Sequence, residues 1–215
     1  MTKIISPSLL SADFGNLQAG CEMINRSEAE WLHIDVMDGV FVPNISFGFP
    51  VLEAVKKHCN KVIDVHLMIV EPEKYIERFA EAGADIITVH LETLKNPFDT
   101  LRAIRELGVK VGLTINPDVP VGSLYGLVGK VDMVLLMSVF AGYGGQIFIE
   151  DTWTRIEELK EIIADENPDC LIQIDGGVNM DNAPKLFEAG VNVLVAGSAV
   201  FNSADPMMTI HEMLV

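Results

Sequence analysis

A closed (β/α)8 TIM barrel is the fold class that the sequence predicts, and three observations predict it. Short β-branched apolar runs alternate with amphipathic stretches from end to end, the pattern of parallel βα units. Eight such units can be counted, and 215 residues shared among them leave about 27 each, enough for a strand, a helix and two short loops. Two near-identical lead-ins, Glu81-Ala82-Gly83-Ala84-Asp85 and Glu188-Ala189-Gly190-Val191-Asn192, repeat the turn from a helix into the next strand. Glycine in that turn can take the left-handed cap. An open doubly wound sheet normally uses fewer strands. No linker, low-complexity tract or charge block divides the chain, so residues 1–215 read as one α/β domain.

In chain order, Ile4–Leu10 is the first apolar run, and Asn16 can cap the helix after it. Trp31–Met37 alternates two kinds of residue and is followed by a helix from Gly48; Val62–Met68 repeats the alternation, and Pro72 suits a first helical turn. Asp85–His90 follows the Gly83 turn, with Pro97 opening its helix, and Val109–Ile115 precedes a helix near Pro120. Val131–Val139 leads to a helix at Asp151, Leu171–Asp175 to one at Asp181, and Val193–Ala196 to one at Asp205, each acid a capping type.

The chain is 49% hydrophobic with a net charge of −16, which fits a large buried core and argues against disorder. That charge excludes a nucleic-acid partner and an anionic membrane surface, which both need clustered Lys and Arg. The longest apolar runs fall short of the ~20 residues of a membrane span. The Met1–Pro7 stretch lacks the form of a signal peptide. Cys21, Cys59 and Cys170 form no CxxC pair and no metal spacing, so a reduced, cytoplasmic enzyme is expected.

In this fold the chemistry sits at the C-terminal ends of strands. His33, Asp35 and Met37 share one face of the second strand; Asp64, His66 and Met68 share one face of the third. Asp175 ends the seventh strand. Each could be a separate polar group packing a strand end. Four of them, His33, Asp35, His66 and Asp175, at the ends of three strands favour convergence on a divalent metal. The mixed N/O donors suit Zn2+, Fe2+, Mn2+ or Co2+ rather than Ca2+. His58 and His211 read as solvated, and His90 as a packing or supporting residue behind the site. Met37, Met68 and Met137 fall at last inward positions, where they either fill gaps in the core or line a dry site. Glycine-rich turns follow the sixth strand (Gly142-Tyr143-Gly144-Gly145), the seventh (Gly176-Gly177) and the eighth (Gly197-Ser198). Three such loops together suit a phosphate held by backbone N–H groups. Of the 15 basic residues, only Lys95 falls in a loop at that end.

From Ile5 to the last helix the sequence resembles the ribulose-phosphate 3-epimerase family. The resemblance is carried by Ile5-Ser6-Pro7-Ser8-Leu9-Leu10-Ser11-Ala12-Asp13, His33-Ile34-Asp35-Val36-Met37-Asp38-Gly39, Phe41-Val42-Pro43-Asn44 and Asp64-Val65-His66-Leu67-Met68. Leu135-Leu136-Met137-Ser138-Val139, Gly144-Gly145-Gln146, Asp175-Gly176-Gly177 and Val195-Ala196-Gly197-Ser198 continue it. It implies a barrel of the ribulose-phosphate-binding type and an isomerase of the pentose phosphate pathway acting on a ketose phosphate. It also implies one divalent metal, zinc first, on His33, Asp35, His66 and Asp175. Asp35 and Asp175 become the acid/base pair, and Ser8 and His66 substrate contacts. Met37, Met68 and Met137 become a cap over the reacting carbons. The loops at Gly142, Tyr143, Gly144 and Gly145, at Gly176 and Gly177, and at Gly197 and Ser198 then surround the phosphate. In the sixth loop the family usually carries Asn-Pro-Gly-Phe-Gly-Gly-Gln, whereas this chain has Phe140-Ala141-Gly142-Tyr143-Gly144-Gly145-Gln146. The change removes a rigid turn and a polar group, and bears on loop closure or substrate preference rather than on reaction class.

Within that resemblance, a 3-epimerase of a six-carbon ketose phosphate such as D-allulose 6-phosphate is the alternative. The related decarboxylase and hexulose-phosphate synthase barrels need Asp-x-Lys-x-x-Asp, and Met37 stands where that lysine would be. A catalytically silent sugar-phosphate or metal-binding module is disfavoured by the four retained His and Asp residues. Oligomeric state and physiological metal are left open by the sequence.

Overall fold

In the computed structural model, which describes residues 2–215, all eight apolar runs become strands. They are β1 (Ile4–Pro7), β2 (Trp31–Met37), β3 (Val62–Met68), β4 (Ile86–His90), β5 (Lys110–Ile115), β6 (Met133–Met137), β7 (Leu171–Asp175) and β8 (Val193–Ala196). All pairs are parallel, in the order β1-β8-β7-β6-β5-β4-β3-β2. A parallel bridge between Ser8 and His33 brings β1 beside β2 and closes the barrel. The helices between strands are α1 (Leu17–Arg26), α2 (Phe49–His58), α3 (Ile76–Glu81), α4 (Pro97–Glu106), α5 (Thr152–Glu166), α6 (Ala183–Glu188), α7 (Ser198–Phe201) and α8 (Pro206–Leu214).

Strand alternation gives the barrel two interiors. Outward residues such as Leu32, Ile34, Val65 and Leu67 pack with helix residues such as Leu52, Ile104, Ile156 and Leu159 into the main core. Each such side chain contributes roughly 1.5–3 kcal/mol by leaving water. Inside the barrel, Ile4, Trp31, Ile86, Met133 and Val193 form a separate apolar cluster at the N-terminal ends of the strands. Further along the same inward faces, Ser6, Asp64, Thr88, Thr114 and Gln173 are fully buried. This lumen is polar, and it carries the site residues on its upper rim.

Several expected elements are shorter or different. β1 stops at Pro7 rather than Leu10, because the Ser8 hydroxyl accepts from Leu10 N–H at 3.3 Å and starts a 3-10 turn over Leu9–Ser11. β6 runs Met133–Met137 rather than Val131–Val139: Asp132 instead caps the neighbouring strand edge, its carboxylate accepting from Val111 N–H at 2.8 Å. The helix expected near Pro120 is replaced by 3-10 turns over Val121–Leu124 and Val128–Lys130. Gly122, Gly126 and Gly129 weaken a helix there, and Gly126 takes a φ of +79°. The helix expected at Pro72 is a 3-10 turn, Pro72–Lys74, followed by α3, and the one expected at Asp181 begins at Ala183. Asp205 caps α8 through Met208 N–H at 3.1 Å, whereas Asn16 and Asp151 make no side-chain cap. The one-turn α7 directly after β8 adds an element that the sequence did not signal. Among the described residues, no helix is long and apolar enough to cross a membrane. Cys21, Cys59 and Cys170 are free and buried, and burial pushes the Cys170 thiol up to about 12.

Candidate active site

Register builds the site. Pairing of β2 with β3 sets His33 beside Asp64, Asp35 beside His66 and Met37 beside Met68, while pairing of β6 with β7 sets Asp175 beside Met137. Four donor atoms result: His33 Nε2, Asp35 Oδ1, His66 Nδ1 and Asp175 Oδ2. Asp35 Oδ1 lies 3.2 Å from both nitrogens, and Asp175 Oδ2 lies 3.9 Å from His33 Nε2 and 3.7 Å from His66 Nδ1. Metal bonds of about 2.0–2.1 Å set tetrahedral donors roughly 3.4 Å apart, so the four could hold a divalent ion with little adjustment. His33 Nε2 is buried with no hydrogen-bond partner, as a ligand lone pair would be.

Each imidazole is held from behind. His33 Nδ1 is 2.7 Å from Asp64 Oδ2, which also accepts from Gln173 Nε2 at 2.6 Å. His66 Nε2 is 2.9 Å from His90 Nε2. Such outer partners fix which ring nitrogen faces a metal. The other Asp35 oxygen, Oδ2, accepts the Ser8 hydroxyl at 2.5 Å.

The carboxylates differ in proton affinity. Burial would raise Asp35, but the His33 and His66 imidazoles outweigh it and hold this carboxyl well below the ordinary range. Burial raises Asp175 to about 7, reinforced by the charge on Asp35 and only partly offset by His33. The Asp35 and Asp64 carboxylates overcome burial to push His33 well above the usual imidazole value. Burial lowers His66, and it lowers His90 to about 4 with the help of His66.

Above the cluster lies a cavity of about 320 Å³. Its lining includes Ser8, Asp35, Met37, Met68, Met137, Gly142, Tyr143, Gly144, Gly145, Asp175, Gly176, Gly177, Gly197 and Ser198. Of the residues assigned to substrate by the resemblance, only His66 is absent from the lining; it is fully buried behind the floor. No Lys or Arg lines the cavity, and Lys95 is instead paired with Glu71 at 2.7 Å. The sixth-strand loop is braced without the proline: Gln146 Nε2 donates to Phe140 O and Tyr143 O at 2.7 and 2.9 Å. Ala141 N–H, which a proline would lack, donates to Asn116 Oδ1 at 3.0 Å.

The sequence profile described as "Ribulose-phosphate 3 epimerase family" matches residues 4–201. The chain belongs to the ribulose-phosphate 3-epimerase family. It is 47% identical over 210 residues to the ribulose-phosphate 3-epimerase of Bacillus subtilis, covering 97% of this chain and 96% of that one. It is 46% identical over 202 residues to the ribulose-phosphate 3-epimerase of a Synechocystis species, covering 93% of this chain and 88% of the relative. The fold is similar to that of a 3-hexulose-6-phosphate synthase from Salmonella typhimurium, at a TM-score of 0.71, 17% identity, and coverage of 98% and 96%. At that identity the likeness concerns the barrel alone.

Sequence reasoning assigned no role to Asp64 and Gln173, which stand behind His33, or to Glu92 and Asn116, which stand behind His90 and the sixth-strand loop. Asp64 carried a signal: a charged residue on the inward face two positions before His66 needs a partner inside the barrel. His58 and His211 are exposed, as expected.

Proposed function

We propose that this chain interconverts D-ribulose 5-phosphate and D-xylulose 5-phosphate, inverting the hydroxyl-bearing carbon C3 beside the ketone. One observation carries the reading: Asp35 and Asp175, with opposed proton affinities, meet at the floor of one cavity sized for a sugar phosphate. Inversion needs a proton removed on one face and returned on the other, and two carboxyl groups can share that work. Asp35, held as a carboxylate, takes the C3 proton in the forward direction. Asp175 supplies the proton to the opposite face, and the roles exchange in reverse. Ser8 fixes the Asp35 carboxylate through its 2.5 Å bond.

His33, Asp35, His66 and Asp175 would hold the divalent metal, Zn2+ first among Fe2+, Mn2+ and Co2+, whose chemistry is to polarise the ketone and stabilise negative charge beside it. Met37, Met68 and Met137 give the reacting carbons an apolar, polarisable wall. The backbone N–H groups of Gly142–Gly145, Gly176–Gly177 and Gly197–Ser198 hold the phosphate, as the cavity has no cationic side chain for it. Buried free thiols support a reducing, cytoplasmic setting.

A coupled assay for xylulose 5-phosphate formation, run with and without a chelator, tests this reading. Activity in the metal-loaded protein that is lost on chelation and restored by divalent metal is expected. Metal-loaded protein that forms no xylulose 5-phosphate would contradict it. D-allulose 6-phosphate, in a parallel assay that reads its own C3 epimer, is expected to give the lower kcat/KM.

A further inference from the structure

We propose that His90 is the positioning residue for His66: it accepts the hydrogen on His66 Nε2 and so keeps Nδ1 of His66 bare toward the donor cluster. The inference rests on the reading of His66 as a metal ligand. His66 Nδ1 faces Asp35 Oδ1 at 3.2 Å and Asp175 Oδ2 at 3.7 Å, so ligation needs its lone pair there. A neutral imidazole carries one N–H. That hydrogen must then sit on Nε2, which lies 2.9 Å from His90 Nε2. His90 Nε2 is therefore the acceptor, and the hydrogen of His90 is on its Nδ1.

The surroundings favour that arrangement. His90 Nδ1 is buried with no closer polar partner than Glu92 Oε1, at 3.5 Å, and a carboxylate favours an N–H facing it. Glu92 cannot turn away, because the same oxygen accepts from Asn116 N–H and Asn116 Nδ2, both at 3.0 Å. His90 ends β4, and the 3-10 turn Leu91–Thr93 that follows brings Glu92 back beneath it, with the Thr93 hydroxyl donating to His90 O at 2.8 Å. The Phe41 ring packs on His90 at a centroid distance of 4.7 Å and fixes the plane of the imidazole. The opposite tautomer of His90 would donate to His66 Nε2, drive the His66 hydrogen onto Nδ1, and occupy the ligand position. His90 thus does for His66 what Asp64 does for His33, from a strand that contributes no ligand.

The zinc-loaded protein tests this in two ways. Imidazole 15N NMR is expected to show His90 with hydrogen on Nδ1 and a bare Nε2, coupled across the hydrogen bond to His66 Nε2–H. Zinc affinity, measured by competition with a chromophoric chelator, is expected to fall about 10–100-fold in His90→Phe. His90→Gln, whose amide oxygen can take the acceptor place, is expected to recover most of that loss, and KM at saturating zinc is expected to stay at the parental value in both. Hydrogen on His90 Nε2 overturns the proposal, as does a folded His90→Phe with parental zinc affinity. If His90→Phe does not fold, the NMR of the parent decides alone. A parent that takes up no zinc overturns the metal reading and this inference together, whereas zinc binding lost in His66→Asn and untouched in folded His90→Phe overturns this inference only.

Discussion

Asp35 and Asp175 share one imidazole, with oxygens 3.2 and 3.9 Å from His33 Nε2, and their proton affinities are pushed in opposite directions. They come from strands three apart around the barrel. Proximity to the imidazoles favours the charged form of Asp35 against burial, whereas burial, reinforced by the charge on Asp35, disfavours a charge on Asp175. An acid and a base are thereby set from two residues of the same type.

Metal affinity is expected to depend on pH through Asp175. A carboxyl ligand must lose its proton to bind, and this one is raised to about 7 in the metal-free protein. Affinity should therefore rise with pH through about 7, and go on rising above it while His33, raised well above the usual imidazole value, loses its own proton. For stability of the metal-free protein the sign is the reverse. A pKa raised from 3.8 to about 7 in the fold favours the protonated form, so this contribution is fully present below about 4 and lost as pH rises through about 7. Titrations of zinc binding and of thermal unfolding, parent against Asp175→Asn, check both; the variant should lack the part of each trend that is centred near 7.

Asp64→Asn is expected to weaken metal binding about 10–100-fold while leaving the fold intact, because the Asp64 carboxylate orients His33 over 2.7 Å. Competition with a chelator, with circular dichroism alongside, measures it.

Gly177→Ala is expected to damage the phosphate end. Gly177 has a φ of +63°, and a Cβ there would stand 2.4 Å from Phe148 N, a backbone atom that cannot step aside cheaply. A loss of about 1–3 kcal/mol in stability and a raised KM are expected, read from unfolding and steady-state kinetics.

How much of this was legible in the sequence varied by range. The strands were, since each is a β-branched run with glycine or proline punctuation, and so were His33, Asp35, His66 and Asp175, since strand alternation and the strand-end rule act locally. The 3-10 turns after β5 were not, because Val121, Leu124, Leu127 and Val128 are buried with a spacing that imitates a helix while three glycines undo it. The pairing of Asp64 with Gln173, 109 residues apart, depends on both strands facing one lumen and has no local signature. The brace that Gln146 and Asn116 provide in place of a proline was equally invisible: the sequence shows the missing Asn-Pro but not the hydrogen bonds that replace it.

That brace makes its own expectation. Gln146→Ala removes two bonds that hold only the loop, and should raise KM by roughly 3–30-fold with little change in the melting temperature. Steady-state kinetics on ribulose 5-phosphate, with thermal unfolding beside it, measure the split.

The two-carboxylate inversion is tested most directly by incorporation of solvent deuterium at C3 of the ketose phosphate, followed in the parent, Asp35→Asn and Asp175→Asn. The parent should incorporate deuterium during turnover. Each variant, metal-loaded and folded, should lose epimerisation by at least about 10²-fold, with exchange falling furthest in Asp35→Asn for the forward substrate. Exchange at the parental rate in both variants would contradict the assignment of Asp35 and Asp175 as base and acid.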